Sequence, residues 1–451
     1  MTLPTVQELK ALALEAIERH EKEIIAVSRS ILHNPETGFT EHKTSQLVVE
    51  QFSRLGVPHH AGLAITGVKG CLDGGAGPGP SVAILGELDS LRIPDHPFAD
   101  PVTGAAHACG HHAQIGMMLG ATIGLLAPGV LPCLSGKVIP FAVPAEEFIE
   151  VERRLRLREM GRIMFLGGKQ ELIRLGEFDD VDMAMMCHTA ADLGGRAFAV
   201  GGTSNGNVVK YVRYQGRAAH AGGAPHMGIN ALNAAMLALM SINANRETFR
   251  DQDVVRIHGI LTRGGESVNS VPSDVRLEWR VRSGSPRALV KNAATVDRCF
   301  KAGAMAVGAR VSITTIPGYL AMRNDQTLQA IFHENAAALL GQEQVAVVPS
   351  TRNRGGSTDM GDVSQIMPAC HPYAAGASGS GHSKDYLITD WRRAVIEPAR
   401  IMACVAIDLL ANGAAKAKEV LTRHKPAMTR EEYLAFQRAR ATVEEYEGPN
   451  K

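Results

Sequence analysis

A short segment between a predicted strand and a predicted helix concentrates residues that bind metals. It contains three imidazoles and one thiol: His107, Cys109, His111 and His112. Cys109 and His111 are two positions apart, and in extended backbone this spacing puts both side chains on one face. A thiolate and an imidazole on one face suit Zn, Mn, Co or Fe. For this segment alone, the alternative is a buried loop with an inert free cysteine and hydrogen-bonded histidines.

Three apolar segments predict strands that are buried on both faces of an α/β sheet: 81–91, 137–143 and 182–187. Each delivers a metal-binding or acid–base group at or near its carboxyl end: Asp89, the pair Glu146 and Glu147, and His188. Open α/β sheets bind their ligands beyond the carboxyl ends of their strands. Because three such instances are much rarer by chance than one, the repetition indicates a site at this edge of the sheet.

The adjacent acids Glu146 and Glu147 suit two different roles. Neighbouring residues in a strand point in opposite directions, so one carboxylate can bind a metal while the other acts as a general base on a metal-bound water. Surface charge is the alternative, because further charged residues follow at 150–154. His382 lies in a Gly-Ser-Gly-His-Ser loop, where glycines allow the backbone to approach an ion closely, although ordinary loops also contain such histidines.

Composition excludes several classes of function. The 47 basic and 46 acidic residues give a net charge of +1, which provides no electrostatic footprint for nucleic acid and no polybasic block for a membrane surface. No segment approaches the ~18 apolar residues of a transmembrane helix. The seven cysteines are scattered and odd in number, which favours a reducing cytosol over a disulfide framework. We therefore expect a cytoplasmic protein that acts on a small molecule, without nucleic-acid or membrane partners.

The order of predicted elements indicates an inserted domain at 203–317. Strands and two apolar-striped helices alternate there as β-α-β-β-α-β, which is typical of a compact α+β domain. The segments 1–202 and 318–451 are then the two parts of one α/β catalytic domain. Its two ends are predicted to be helical, with one long helix at 6–32 and a loosely docked polar helix at 429–446.

Several residues of the inserted domain are candidates for contacts with a substrate. His220 and His226 lie in a loop of small residues. A loop histidine such as His220 can close over a site and stabilise a developing oxyanion, although a solvent-facing histidine is the simpler interpretation. Arg282 and Asn269 are candidates for binding an anionic substrate, because arginine binds carboxylates in a bidentate manner. Since arginines alternate along this predicted strand, a solvated face is the alternative.

Taken together, these motifs resemble those of the M20 family of metallopeptidases and amidohydrolases, and most closely its amidohydrolase branch. That branch includes hydrolases of N-acyl amino acids, of indole-acetyl amino acid conjugates and of p-aminobenzoyl-glutamate. The ordered set of motifs is highly specific for the family and runs nearly from end to end of the chain. It comprises 33–38, 87–89, 107–111, 144–147, His188, 219–221, 269–272, Arg282 and 381–382.

The resemblance implies a zinc-peptidase-like α/β catalytic domain, with a mixed sheet flanked by helices, and an inserted ferredoxin-like lid and dimerisation domain. It also implies one or two divalent ions (Mn, Zn or Co) and a homodimer or higher homo-oligomer. By motif match, the implied ligands are Cys109, His111, Glu147, His188 and His382. Glu146 is the implied general base, Asp89 lies behind the ligands, and His220 steadies the tetrahedral intermediate, in one arrangement across a dimer.

The sequence departs from the branch at two positions, where His112 and Gln114 replace an aspartate and a histidine. This departure leaves the number of metals and the reaction type open. The first interpretation is hydrolysis of the amide of an N-acyl or aryl-conjugated amino acid. The alternatives are an aryl deaminase that releases ammonia from an electron-poor amine such as 5-nitroanthranilate, a dipeptidase, and an inactive binding relative. An intact Glu146 argues against the last of these, because a protein that only binds has no use for a base.

Overall fold

The computed structural model describes residues 4–353 and 355–448. Its helices are α1 Val6–Arg19, α2 Glu21–Leu32, α3 His42–Arg54, α4 His111–Leu125, α5 Val151–Glu159, α6 Gly168–Leu175, α7 Ala231–Ala244, α8 Pro286–Val307, α9 Gln326–Leu340, α10 Met360–Ile366, α11 Glu397–Arg423 and α12 Arg430–Ala439. Its strands are β1 His59–Leu63, β2 Gly67–Gly70, β3 Leu72–Asp73, β4 Ser81–Glu87, β5 Leu91–Arg92, β6 Ala105–Ala106, β7 Lys137–Val143, β8 Met183–Met185, β9 His188–Thr189, β10 Phe198–Thr203, β11 Gly206–Gln215, β12 Arg256–Arg263, β13 Asp274–Ser283, β14 Arg310–Pro317, β15 Val345–Asn353, β16 Ala369–Cys370, β17 Tyr373–Ala374, β18 Ala377–Ser378, β19 Leu387–Ile388 and β20 Thr442–Tyr446.

A large mixed sheet forms the centre of the catalytic part, with the strand order β1-β2-β7-β4-β8-β16 and β3 beside β7. Strand β4 is buried along its whole length and pairs in parallel with β7 on one side and β8 on the other. Apolar residues of α1, α2, α4, α9 and α11 cover one face, and those of α6, α10 and α12 cover the other. This arrangement confirms the predicted α/β class. Because helices cover both faces of the sheet, the sequences of its central strands are almost continuously apolar.

The predicted N-terminal helix at 6–32 is wrong in one respect, because it is two helices separated at His20. The His20 backbone leaves helical geometry at φ −101° and ψ 8°, and its Nδ1 lies 2.9 Å from the carbonyl oxygen of Ala16. The periodicity of apolar residues continues through the break, which is why the sequence alone did not reveal it. Both helices pack on α4, whose residues are all buried.

The inserted segment folds as an antiparallel sheet in the order β12-β13-β11-β14, with α7 and α8 on one face. This is the strand order 2-3-1-4 of a ferredoxin-like domain, as the element pattern predicted. The bounds of the inserted domain, 203 and 317, remain those proposed from the sequence. The C-terminal strand β20 pairs with β14 at the edge of this sheet, so the chain returns to the inserted sheet after completing the catalytic part.

The predicted loose polar helix at 429–446 is also wrong. The segment forms α12 and then β20, and the helix is firmly docked. Tyr433 is buried and donates a 2.8 Å hydrogen bond to the carboxylate of Asp362, which also accepts one from Gln437. The sequence hid this docking because many residues of α12 are charged, and the partner of Tyr433 and Gln437 is a buried acid far away in the chain. Within the described ranges, no helix has both the length and the apolar character needed to cross a membrane.

Candidate metal centre and active-site cleft

The parallel strands β4, β7 and β8 end at one edge of the large sheet, and their carboxyl ends position the candidate site. Asp89 follows β4 and is fully buried. Glu146 and Glu147 follow β7, and both are nearly buried. The short strand β9 begins with His188 and belongs to the neighbouring sheet, where it pairs in parallel with β17. The predicted convergence of these groups at one edge is therefore what the fold produces.

A tight turn, and not the extended backbone expected from the sequence, brings Cys109 and His111 together. Gly110 between them has φ +92°, and His111 is the first residue of α4. A Cβ atom at Gly110 would lie 2.1 Å from Oγ1 of Thr189. Glycine is therefore required here both by the left-handed backbone conformation and by the close approach of Thr189 in β9.

A second left-handed residue redirects the chain after β7. Ala145 has φ +52°, its N–H donates a 2.8 Å hydrogen bond to the buried carboxylate of Glu41, and its carbonyl accepts from Gly168 N. A non-glycine residue in this region is strained, and the surrounding hydrogen bonds hold it there. Because the turn breaks the strand, Glu146 and Glu147 both reach the site instead of pointing to opposite faces of the sheet.

The predicted ligand atoms form two groups of three that share one sulfur. Within each group, all ligand atoms lie within 4.8 Å of one another. The two groups are Cys109, His111 and His188, and Cys109, Glu147 and His382. Cys109 Sγ lies 3.3 Å from His188 Nε2, and His382 Nε2 lies 3.3 Å from Glu147 Oε1. The structure thus brings together all five predicted ligands around the thiol of Cys109.

The donor set fits divalent metal ions. One thiol, three imidazoles and a carboxylate are the ligands that Zn and similar ions prefer, at metal–ligand distances of about 2.0–2.3 Å. His111 Nε2 and Glu147 Oε1 are buried and make no hydrogen bond with described residues, as expected for atoms that hold an ion. Burial and the neighbouring Glu147 raise the pKa of the Cys109 thiol well above its usual value. A bound cation would lower the pKa of this thiol, since metal binding requires the thiolate.

Asp89 orients two of the ligands from behind. Its carbonyl oxygen lies 2.8 Å from His111 Nδ1, and its carboxylate accepts a 2.8 Å hydrogen bond from the backbone N–H of Glu147. Fixing Nδ1 in this way leaves Nε2 of His111 as the atom available to a metal. Although burial opposes ionisation of Glu147, His382 and His111 hold its pKa below the usual value.

A buried ion-pair network lies directly behind the ligands. Lys169 Nζ lies 2.6 Å from Glu87 Oε1 and 2.5 Å from Asp359 Oδ1, and these side chains are almost fully buried. Glu87 Oε2 in turn lies 3.1 Å from His111 Nε2. No sequence signal marked Lys169 or Asp359, because a lone lysine in a helix and a lone aspartate before one carry no spacing information. Glu87 belongs to one of the motifs, without a predicted role.

Glu146 is buried beside the ligands, and its carboxylate accepts no hydrogen bond from a described residue. Its backbone carbonyl is held by the hydroxyl of Tyr319. Burial, together with the nearby carboxylates of Glu87 and Glu147, raises the pKa of Glu146 well above its usual value. A carboxylate with a raised pKa can exchange protons near neutral pH, which is the property required of a general base and acid.

The site opens into a cavity of about 450 Å³ between the catalytic part and the inserted sheet. Cys109, Glu146, Glu147, His188 and His382 contribute to its lining. The lining also includes basic and polar side chains from β12, β13 and the loop before α10: Arg256, His258, Arg280, Arg282, Ser357 and Thr358. Arg282 therefore lies in the cleft, as its prediction as a substrate contact requires. Arg256 and His258 were not predicted.

Three other predicted contacts do not line this cavity. His220, His226 and Asn269 are exposed on the inserted domain. His220 and Asn269 adjoin each other, because the backbone N–H of Ala221 donates to the carbonyl of Asn269. The ring nitrogen Nδ1 of His220 accepts hydrogen bonds from Gly222 and Gly223. Within one chain, the structure does not bring these residues to the metal ligands.

The two positions that depart from the resemblance are buried and belong to neither group of ligand atoms around Cys109. Gln114 donates a 2.9 Å hydrogen bond from Nε2 to Glu87. His112 lies between the rings of His107 and Trp391, with ring centroids 5.2 Å and 5.7 Å away. Neither group of three ligand atoms includes His112 or Gln114. The substitutions therefore change the surroundings of the ligands and leave the ligand set intact.

Residues 204–303 match the family model of the peptidase dimerisation domain of the M20 family. The chain is 29% identical over 421 residues to a Xaa-Arg dipeptidase of Mus musculus, covering 89% of each protein. It is 25% identical to the IAA-amino acid hydrolase ILR1-like 4 of Arabidopsis thaliana, over 76% of this chain and 75% of that protein. The chain thus contains an M20 peptidase dimerisation domain.

Solved structures of M20 proteins and related enzymes share the fold. A dinuclear metal-binding M20 peptidase of Bacillus subtilis superposes with a TM-score of 0.64 at 20% identity, covering 87% of this chain and 99% of the other. An aminobenzoyl-glutamate utilization protein of Klebsiella pneumoniae gives a TM-score of 0.67 at 19% identity, covering 89% and 99%. The relatives that match most of the chain in sequence are hydrolases of carbon–nitrogen bonds, and with its groups of candidate metal ligands the protein is a metal-dependent hydrolase of this kind.

Proposed function

We propose that the protein hydrolyses the amide of an N-acyl or aryl-conjugated amino acid. The observation that carries this proposal is the position of Glu146, a buried carboxylate beside the ligand groups that has no hydrogen-bond partner among the described residues. A protein that only binds its ligand would gain nothing from such a group. The arginines that line the same cavity support a substrate with a carboxylate.

The residues divide the reaction between them. Divalent ions (Mn, Zn or Co) held by the two ligand groups around Cys109 would activate a water molecule and polarise the amide carbonyl. Glu146 accepts a proton from that water as the new carbon–oxygen bond forms. It then donates the proton to the nitrogen as the carbon–nitrogen bond breaks, which yields a free acid and a free amino acid. Arg282 holds the carboxylate of the amino-acid half.

A substrate panel tests this proposal. The metal-loaded enzyme is expected to release the amino acid from N-acetyl or N-benzoyl amino acids, and EDTA should abolish the release. Dipeptides belong in the panel, because one relative is named a dipeptidase. Nitroanthranilates belong there too, with free ammonia and free amino acid measured in parallel. Ammonia without amino acid would contradict amide hydrolysis and identify an aryl deaminase.

We further propose that the enzyme is a homodimer in which His220 acts on the site of its partner. The exposed position of His220, outside its own cavity, supports this arrangement. Exposed apolar side chains on α7, Met236 and Met240, offer a contact surface beside the inserted sheet. A histidine supplied in this way would donate a hydrogen bond to the developing oxyanion.

Complementation between two inactive variants tests the shared site. Glu146→Gln and His220→Ala homodimers should each have little activity. Unfolding and refolding an equimolar mixture should restore roughly a quarter of wild-type activity, because half of the dimers are mixed and each mixed dimer has one complete site. If His220 acted within its own chain, the mixture would stay as inactive as its components. A mixture of Glu146→Gln with Glu147→Ala is the matched control, since it contains no complete site.

A further inference from the structure

The lining of the cavity contains a compact block of basic side chains on two neighbouring strands. Arg256 of β12 lies directly opposite Arg282 of β13, and His258 lies opposite Arg280. All four line the cavity that contains the metal ligands. Like charges directly opposite each other in an antiparallel pair are destabilising, so this arrangement has a cost in the folded protein.

The acids that act on this block do so without direct contact: the charges of Glu146 and Glu147 act on Arg282, and that of Glu147 acts on Arg280. Among the described residues, none of the guanidiniums of Arg256, Arg280 and Arg282 forms an ion pair with an acid. Their hydrogen bonds go instead to the carbonyls of Val255 and Phe148, to the hydroxyl of Ser357 and to His258. Arginine has five N–H donors, and these bonds use at most two from each residue.

Further along β13, outside the cavity, an arginine does have carboxylate partners. Arg276, further along β13, pairs with Asp274 at 2.9 Å and with Glu152 at 2.9 Å. Glu278 lies between Arg276 and Arg280, but its carboxylate accepts hydrogen bonds from the backbone of Val151 and Glu152. The unbalanced charge is therefore confined to the part of the strand that faces the cavity.

His258 orients one of the guanidiniums without adding a charge of its own. Burial and the adjacent Arg282 and Arg280 lower the pKa of His258 to about 4, so its ring is neutral at pH 7. The neutral ring accepts a 3.2 Å hydrogen bond from Nε of Arg282 and fixes the orientation of that guanidinium. The block thus presents three oriented guanidiniums and one neutral acceptor, which is more than a single carboxylate can use.

We infer that this block binds two anionic groups, and that the amino-acid half of the substrate has an acidic side chain such as that of glutamate or aspartate. The inference rests on the proposed amide hydrolysis and specifies its substrate class. Arg282 binds the first carboxylate, and Arg280 and Arg256 bind the second. Ions held by the candidate ligands would offset the charge of Glu147, which acts on both Arg280 and Arg282, so the block would keep a net positive charge. A cationic amino acid, as in an Xaa-Arg dipeptide, is excluded by repulsion.

The test compares substrates that differ only in charge. N-benzoyl-glutamate should be hydrolysed with a kcat/KM about 10- to 100-fold above that of N-benzoyl-glutamine, because a hydrogen bond to a charged group contributes about 1.5–3 kcal/mol. Arg256→Gln and Arg280→Gln should each reduce this ratio. Arg276→Gln is the control on the same strand, and it should leave the ratio unchanged. Equal rates for the two substrates, or a preference for N-benzoyl-arginine, would overturn the inference.

A binding measurement separates this inference from the proposed reaction. Glutarate should bind the metal-loaded wild-type enzyme at least about 10-fold more tightly than glutaramate in isothermal titration, and Arg256→Gln should remove the difference. Tight glutarate binding without hydrolysis of any benzoyl amino acid would refute the amide reaction and leave the dianion subsite intact. Amide hydrolysis without discrimination between glutarate and glutaramate would refute the subsite alone.

Discussion

Replacing Glu146 with glutamine is expected to lower kcat by about 10²- to 10⁴-fold, the usual contribution of a positioned general base and acid. Glutamine has the same shape but cannot accept the proton. Glu146 belongs to neither group of ligand atoms that shares Cys109, and its own group, with Glu87 and His111, lacks the thiol, so the variant should keep the metal content of the wild-type enzyme. The measurements are steady-state kinetics on the best substrate of the panel and metal content by mass spectrometry.

The matched control for this variant is Glu159→Gln, which changes an exposed glutamate at the end of α5. It should leave both kcat and metal content unchanged. Turnover of Glu146→Gln at the wild-type rate would exclude Glu146 as the base. A variant that lost its metal along with its activity would instead indicate that Glu146 is a ligand, and the division of roles between the two adjacent acids would have to be exchanged.

The second large effect is expected from Cys109→Ser. The sulfur of Cys109 is common to both groups of predicted ligand atoms, whereas His188, Glu147 and His382 each belong to one group only; His111 also belongs to a third group, with Glu87 and Glu146. Serine is a far weaker ligand for Zn and Co than a thiolate, so the variant should lose the metal of both groups and essentially all activity. His188→Ala and His382→Ala should each weaken one group and leave a larger share of the metal bound.

Metal content per chain after dialysis, together with activity before and after addition of metal, measures this difference. Cys133→Ser, at a half-buried cysteine that does not line the cavity, is the control and should retain full metal content and activity. The shared-sulfur arrangement would be refuted if Cys109→Ser lost no more metal than His188→Ala. A similar loss in all three variants would point to a single ion held by all the ligands jointly.

The chemistry-bearing residues were largely predictable because they follow apolar strands in a fixed order. The segments that precede Asp89, Glu146–Glu147 and His188 are apolar, which predicts buried strands. Parallel strands in one sheet place their carboxyl ends at the same edge. The ferredoxin-like order of the inserted segment was predictable for a similar reason, since alternation and helical periodicity are local properties. The outline of the fold and several candidate site residues could therefore be predicted from patterns within short windows of sequence.

Other features depend on contacts that no local pattern encodes. The turns at Gly110 and Ala145 direct adjacent residues into the site, and the approach of Thr189 and Glu41 stabilises them. Lys169 is surrounded by acids from two distant segments, so its burial cannot be read from its own neighbours in the chain. The same holds for Tyr433, which makes the polar helix α12 part of the core.

The sequence by itself predicted the fold class, and its resemblance to a known family supplied the candidate metal ligands and the candidate base. The tertiary structure decided how the ligands are grouped around one sulfur and which arginines face the cavity. It also showed that His220 and Asn269 lie outside the cavity of their own chain. The physical reason is that the type and spacing of residues fix local geometry, whereas ion pairing and cavity lining depend on which distant segments come into contact when the chain folds.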